Sequence, residues 1–212
     1  GNEVVDNVPV ALTMRTADGW LERLVGTGHD GLEFVLAEPR EPVKRWADRY
    51  GAGLPVGAML EVQIEASTWF GGVLDRVGRG AIALFDYGGL TEELETRRLS
   101  GTLRTYRNHR SGPDPLVDPG AADITTDVDF AALRDVALER GWEVTVDRQD
   151  DFLRAWGLQE RLTAMRQDEL AAARSGEVMD RLQLRSTIKD IEALLNPRGL
   201  GDFRVLVARS GT

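Results

Sequence analysis

The chain has 212 residues, of which 42% are hydrophobic and 29% are charged, and its formal net charge is −9. This composition excludes a disordered or collagen-like chain, and the lack of cysteine excludes disulfide scaffolds and thiolate metal sites. No run approaches the roughly 18 apolar residues of a membrane span, and the opening residues lack a signal-peptide pattern. Net negative charge argues against a nucleic-acid partner. We therefore expect a cytoplasmic protein with no nucleic-acid or membrane partner.

The first half of the chain predicts a small antiparallel meander followed by an αβ unit. Apolar runs and glycine-rich turns between residues 8 and 38 are typical of three short strands joined by tight connections. A continuous apolar run at 81–85, followed by Asp86, indicates a strand buried on both faces of a parallel sheet. The predicted elements are strands at 8–14, 20–25, 32–37, 58–64 and 81–85 and helices at 40–50 and 65–77.

The second half continues with alternating helices and strands. A helix over 129–140 has an apolar side, Asp127 as its predicted N-cap and Gly141 as its stop. Elements that alternate in this way predict an α/β fold. The other predicted elements are strands at 102–106, 142–146 and 203–208 and helical stretches at 149–174 and 177–195.

A glycine motif at Gly26, Gly28 and Gly31 matches the G-x-G-x-x-G pattern of dinucleotide-binding loops. Such a loop needs a helix N-terminus next to it, where backbone N–H groups meet a phosphate. Here the motif is followed by a strand-like run, LEFVLA, that ends near a proline. We therefore interpret the motif as the corner of a hairpin, and nucleotide binding through it stays a minor alternative.

The sequence lacks the residue patterns that metal sites and nucleophilic catalysis usually require. His29 and His109 are the only histidines, and neither belongs to a metal-ligand spacing. No serine lies in a G-x-S-x-G elbow and there is no cysteine nucleophile. We therefore predict no metal site and no covalent hydrolase.

Two further features leave alternatives open. An acid-free segment with arginines at 97, 98, 104, 107 and 110 could hold an anion, or could be a solvated loop balanced by acids elsewhere in the fold. Asp86-Tyr87-Gly88 follows a buried strand, where α/β sheets bind ligands, but it could equally be a capped turn.

An ordered set of motifs gives the sequence a family resemblance. The set comprises Asn2, Glu3, Asp6 and Pro9 in N-E-x-x-D-x-x-P, DYG at 86–88, GTLRTYRNHR at 101–110, DPLVDPGAADITTDVDF at 114–130, QDDFL at 149–153 and NPRGLGDFRVL at 196–206. It resembles the MidA-type family of S-adenosylmethionine-dependent methyltransferases, whose mitochondrial member methylates arginine during complex I assembly. The segment from 101 to 130 is the most specific part.

The resemblance implies a partial class I, Rossmann-like methyltransferase sheet with an inserted antiparallel β-meander and extra C-terminal helices. It places the start of this chain at the end of the family's fourth strand, so residues 1–212 are the C-terminal portion of the domain, with 8–57 as the inserted subdomain. The glycine-rich cofactor loop of the family lies upstream of that strand. We therefore expect this chain alone to bind S-adenosylmethionine poorly and to be inactive.

The resemblance also implies roles for individual residues. Glu3 and Asp6 are the expected catalytic residues, with Glu3 orienting the guanidinium of a protein arginine and Asp6 supporting Glu3. Asn2 and Glu3 are expected to touch the cofactor. The expected substrate-binding residues are Asn2, Tyr87, Arg104, Tyr106 and His109. The alternative from another class is a non-catalytic module for protein interaction and assembly.

Overall fold

The computed structural model describes residues 1–108, 110–175 and 178–210, and the chain divides into two compact units. The first unit comprises residues 1–145 and the final strand residues from 206 onward. Its elements are β1 (Ala11–Thr16), β2 (Gly19–Gly28), β3 (Gly31–Ala37), α1 (Glu41–Tyr50), β4 (Met59–Val62), α2 (Ile64–Val77), β5 (Ala81–Asp86), β6 (Gly88–Gly89), α3 (Thr91–Leu94), β7 (Arg104–Arg107), β8 (Arg110–Ser111), β9 (Asp123–Thr125), β10 (Val128–Asp129) and α4 (Phe130–Leu138).

The largest sheet of the first unit is the predicted meander with one more strand. Its order is β3-β2-β1-β4, and all of its pairings are antiparallel. The glycine motif forms the β2–β3 hairpin, in which Gly28 pairs with Gly31, so the predicted hairpin corner is confirmed. Because a strand follows the motif, no helix N-terminus is available there for a phosphate.

One buried cluster of this unit lies between the meander and α1. Pro42 occupies the first turn of α1, where a missing N–H costs nothing, and the helix ends at Gly51. Burial of its apolar side against β4 is what stabilises so short a helix. The buried cluster consists of Trp20, Val43, Trp46, Ala47, Tyr50, Leu54, Ala58, Leu60, Val62 and Ala132.

The start of α4 differs from the prediction. Asp129, not Asp127, caps this helix, since its carboxylate accepts hydrogen bonds from the backbone N–H groups of Ala131 and Ala132. Asp127 instead binds two arginines. Both aspartates precede the apolar run, and only the chain path through β10 decides which one reaches the free N–H groups.

A three-stranded sheet, of order β11 (Trp142–Arg148), β12 (Arg204–Ser210) and β5, positions the candidate site. β5 pairs with the final strand, β12, which pairs in turn with β11. The first residues of the chain run parallel to the end of β5. The prediction that β5 is buried on both faces is wrong, because Ala81 is exposed and full burial is reached only at Leu84 and Asp86.

The second unit, residues 146–205, is a helical body. It contains α5 (Gln149–Ala155), α6 (Leu158–Ser175) and α7 (Val178–Leu194). Its core is small and is formed by Leu162, Ile188, Ile191 and Leu195. Within the described ranges, no helix combines the length and the apolar character that crossing a bilayer requires.

Candidate functional site

Asn2 and Glu3 lie at the carboxyl end of β5. The Glu3 N–H donates to the Phe85 carbonyl at 2.8 Å, and the Phe85 N–H donates to the Gly1 carbonyl at 2.9 Å. The Asn2 side-chain amide donates to the Glu3 carboxylate at 3.0 Å, and both side chains are exposed. Glu3 has φ of +46°, a left-handed conformation that is uncommon outside glycine. This strand end therefore presents an amide and a carboxylate side by side at the position where α/β sheets bind ligands.

Asp86, the last residue of β5, holds the opening segment of the chain at the same strand end. Its carboxylate is fully buried and accepts hydrogen bonds from three backbone N–H groups, those of Val5 at 3.0 Å, Asp6 at 3.3 Å and Tyr87 at 3.0 Å. Burial, together with the nearby charge of Asp6, raises the pKa of Asp86 to about 6, although the backbone hydrogen bonds act in the opposite direction. Asp86 thus fixes the path of the chain between Glu3 and Asp6.

The buried Asp6 and the partly buried Tyr87 form a polar pair next to Asp86. The Tyr87 hydroxyl donates a short hydrogen bond to Oδ2 of Asp6, and Asp6 is only 4% exposed. Burial and this bond raise the pKa of Tyr87. Oδ1 of Asp6 has no hydrogen-bond partner among the described residues. A buried carboxylate oxygen without a partner is rare in folded proteins and calls for a specific explanation.

The basic segment is balanced by acids of the fold. Asp127 forms ion pairs with Arg97, at 2.9 Å, and with Arg104, while the buried Arg98 pairs with Asp129 at 2.9 Å. The Arg104 guanidinium also lies 5.0 Å from the centre of the Tyr87 ring, which is a cation–π contact. Of the two interpretations left open, the geometry favours arginines paired within the fold.

The structure brings most of the predicted site residues together. Asn2 and Glu3 share the end of β5, and Asp6, Tyr87 and Arg104 form a chain of contacts beside it. The direct support of Glu3 by Asp6 that we expected is not among the described contacts, because the two carboxylates have Asn2 and Tyr87 as their respective partners.

Two predicted substrate-binding residues remain. Tyr106 lies two positions after Arg104 on β7, so both side chains point to the same side of that strand, and it is 37% exposed. His109 falls outside the described residues. Both therefore stay predictions.

Sequence reasoning did not predict the roles of three aspartates that organise this region: Asp86 was left between a ligand site and a capped turn, Asp127 was predicted as the cap of α4, and Asp129 was not singled out. Asp86, Asp127 and Asp129 are all buried and accept hydrogen bonds from backbone or arginine donors. The available signal was their position, since each follows or adjoins an apolar run, where a carboxylate that ends a strand commonly meets free N–H groups. Within the part of the chain that is described, no group of three or more metal-ligating side chains is present.

Comparison with known proteins gives this geometry a family. Residues 1–146 match a family model described as "Putative S-adenosyl-L-methionine-dependent methyltransferase". A solved structure from Burkholderia thailandensis, bound to S-adenosyl-homocysteine, is similar over 99% of this chain and 52% of that chain, at 27% identity and a TM-score of 0.80. A second, native structure from that organism has a TM-score of 0.82. This likeness confirms the predicted partial class I, Rossmann-like α/β fold.

Curated relatives agree with the family model. The Caenorhabditis elegans protein named "Protein arginine methyltransferase NDUFAF7 homolog, mitochondrial" is 27% identical over 94% of this chain and 44% of its own length. The human protein arginine methyltransferase NDUFAF7, mitochondrial, is 28% identical over 95% of this chain and 42% of its own length. The chain thus spans less than half the length of these relatives.

The relatives also correct one expectation. The predicted cytoplasmic location is wrong, because these curated relatives are named as mitochondrial proteins. The reducing setting that we inferred from the lack of cysteine does not distinguish the cytosol from an organelle interior.

The family model covers more than half of the chain, and S-adenosylmethionine is the family's cofactor. This chain therefore belongs to the family of S-adenosyl-L-methionine-dependent methyltransferases that the model describes.

Proposed function

We propose that this chain carries the acceptor side of an S-adenosylmethionine-dependent methyltransferase that methylates arginine nitrogen in a protein substrate. In this proposal it is the C-terminal portion of a class I domain, with residues 8–57 as an insertion. The observation that carries the proposal is the Asn2–Glu3 pair held at the carboxyl end of β5. The names of the curated relatives support arginine as the acceptor.

The carboxylate acceptor groups at this strand end fit a positively charged cofactor. Glu3 offers an exposed carboxylate, and Asp6 offers a buried oxygen that has no partner among the described residues. When bound, S-adenosylmethionine supplies a methyl group on a cationic sulfur. The Asn2 amide nitrogen is engaged by Glu3, so the amide carbonyl is the end that is directed to cofactor or substrate.

Glu3 has the chemistry to orient the acceptor. A guanidinium is protonated at neutral pH and presents a planar fork of N–H donors that a carboxylate binds in a bidentate manner. Such binding fixes the nitrogen that attacks the methyl group and compensates the positive charge that accumulates before the proton leaves. Positioning of this kind provides most of the rate in a direct displacement, because no covalent enzyme intermediate is needed.

Titration with the cofactor tests whether the main cofactor-binding residues lie upstream of this chain. We expect isothermal titration calorimetry of the 212-residue chain with S-adenosylmethionine to show no tight binding. A version extended at its amino end through the upstream strands of the fold should bind. Tight binding by the 212-residue chain would contradict the assignment of its start to the end of the fourth strand.

Methyl transfer by the extended version tests Glu3. With radiolabelled S-adenosylmethionine and arginine-containing protein, Glu3→Gln should lower the rate by at least about 100-fold, since it removes the charge and retains the size. The matched control is Glu143→Gln, an exposed glutamate on β11, which should keep the wild-type rate. Absence of transfer by the unsubstituted protein to any arginine substrate would favour the non-catalytic assembly module.

A further inference from the structure

A cavity in the first unit lies beside the candidate site and is unused by the proposed chemistry. Its volume is about 450 Å³, within the range of ligand pockets, and most of its walls are apolar. One wall is the meander, through Leu12, Val25, Leu32 and Phe34. The opposite wall comes from the segment between β7 and β10, through Leu116 and Ile124.

Strand register explains why the meander presents one apolar face to this cavity. Val25 pairs with Phe34, and Thr27 pairs with Leu32, so their side chains lie on the same side of the β2–β3 hairpin. Leu24 pairs with Val35, which places that pair on the opposite side. Val25 and Leu32 are 55% and 41% exposed, so the cavity-facing side chains are available for contact.

Asp6 connects this cavity to the candidate site. It lines the cavity, while its Oδ2 accepts the hydrogen bond of Tyr87 at the end of β5. Its Oδ1 is buried and has no partner among the described residues. The Asp6 carboxylate therefore lies between the candidate site and the cavity, next to a large apolar surface, and can accept one more hydrogen bond. Such a combination is complementary to a ligand that has a positive charge beside an apolar group.

We propose that the cavity receives an apolar side chain of the protein substrate, one to three residues from the methylated arginine. This inference rests on the proposed function and adds the local sequence that the enzyme recognises. Asp6 lines the cavity and lies three residues after Glu3, so their Cα atoms are at most about 11 Å apart, a distance that an extended peptide covers in about three residues. The acceptor's positive charge then lies toward Glu3 and Asp6, and the apolar side chain lies between Val25, Leu32 and Ile124.

The test measures binding of short peptides to the 212-residue chain by isothermal titration calorimetry. The peptides have eleven residues with arginine at the centre and serine elsewhere, and a single leucine is placed in turn at each of the three positions on either side. A second series replaces the central arginine by alanine. We expect leucine at one or more positions to raise affinity about tenfold over the all-serine peptide, because burial of its side chain removes apolar area from water.

Two double variants locate the contact. Val25→Ser with Leu32→Ser should abolish the tenfold gain from leucine. Leu24→Ser with Val35→Ser is the matched control, because it changes the same hairpin at similar exposure on the opposite face, and it should retain the gain. All four side chains are partly exposed, so both variants should keep the wild-type circular dichroism spectrum.

Each other result overturns the inference in a distinguishable way. Arginine peptides that bind equally with and without leucine would remove the apolar subsite and leave the proposed function in place. A leucine gain of the same size at all six positions would overturn the proposed spacing from the acceptor and leave the proposed function in place. Arginine peptides that bind no more tightly than the alanine peptides would instead contradict the proposed acceptor. If light scattering shows a dimer that only the Val25→Ser/Leu32→Ser variant dissociates, a second copy of the chain occupies the cavity.

Discussion

The Asp6 carboxylate and the Tyr87 hydroxyl, 81 positions apart in sequence, are joined by a hydrogen bond at the end of β5. Asp6 is almost completely buried, and its other oxygen has no partner among the described residues. The Tyr87 bond is therefore the main compensation for removing this carboxylate from water. It holds the opening segment of the chain against the loop that follows β5.

Removal of the Tyr87 hydroxyl should be costly. Tyr87→Phe leaves the Asp6 carboxylate without that donor, and we expect the free energy of unfolding to fall by about 2 kcal/mol in urea denaturation. The matched control is Tyr106→Phe, a partly exposed tyrosine on β7, which should change stability by less than about 0.5 kcal/mol. Equal losses in the two variants would contradict a special role for the Asp6–Tyr87 bond.

Asp86 predicts a pH dependence of stability. Its pKa in the folded protein is raised to about 6 from the ordinary value of 3.8, mainly by burial and then by the Asp6 charge. The folded state thus binds this proton more tightly than the unfolded state, so the contribution of Asp86 to stability falls as pH rises from about 4 to about 6. Asp86→Asn cannot titrate, so the wild-type stability minus that of the variant should decrease by on the order of 2 kcal/mol across this window.

Urea denaturation at closely spaced pH values, on both proteins, gives this difference. Carbon NMR of the Asp86 carboxyl gives the pKa directly. A difference that increases with pH, or a carboxyl that titrates below its ordinary value, would contradict the expected direction.

The buried ion pair of Arg98 and Asp129 should be sensitive to loss of one partner. The two side chains are 1% and 0% exposed, and Asp129 also caps α4. Arg98→Met should lower the free energy of unfolding by about 3 kcal/mol, because it leaves a buried charge with less compensation. Adding Asp129→Asn, which keeps a cap acceptor, should recover part of the loss. Arg45→Met, which breaks the exposed pair with Glu41, should cost less than about 0.5 kcal/mol.

The glycine of the DYG motif has a steric requirement. Gly88 has φ of +151°, and a Cβ there would overlap the Val128 carbonyl oxygen and lie 2.6 Å from the Val128 nitrogen. Gly88→Ala should therefore prevent the β6–β10 pairing and destabilise the protein by more than about 3 kcal/mol. Gly19→Ala is a matched control with φ of +144° and no heavy atom within 4 Å of the added Cβ. Its thermal unfolding should show only the smaller cost of the backbone conformation.

Local patterns in the sequence predicted most elements of the fold. The hairpin at Gly26–Gly31 followed from the strand-like run after the motif, and the short α1 followed from Pro42 and Gly51. Strand ends were less accurate, since β1 begins at Ala11 and not at Val8. Residues before Ala11 bind the end of β5 and the 123–126 region, and that long-range contact has no local signature.

The candidate site could be predicted from the sequence only in part. The resemblance pointed to Asn2, Glu3 and Asp6, and the structure brings these residues to the end of β5. The partner of each acid was not predictable, because Asp6–Tyr87 and Arg104–Asp127 are pairs between distant segments. The cavity beside Asp6 was missed for the same reason, since its two walls come from the meander and from residues beyond 100.

Glu61 ties Leu103, a residue that lines that cavity, to strand β4 of the four-stranded sheet. Its buried carboxylate on β4 accepts hydrogen bonds from the backbone N–H groups of Thr102, at 2.7 Å, and Leu103, at 3.2 Å. Two further lining residues are also joined, since the Thr126 N–H donates to the Asp6 carbonyl at 2.8 Å. A ligand that enters the cavity therefore contacts walls that are already ordered, and the protein loses little conformational entropy when the ligand binds. Because the cavity walls do not rearrange for each ligand, the shape of a ligand determines whether it binds.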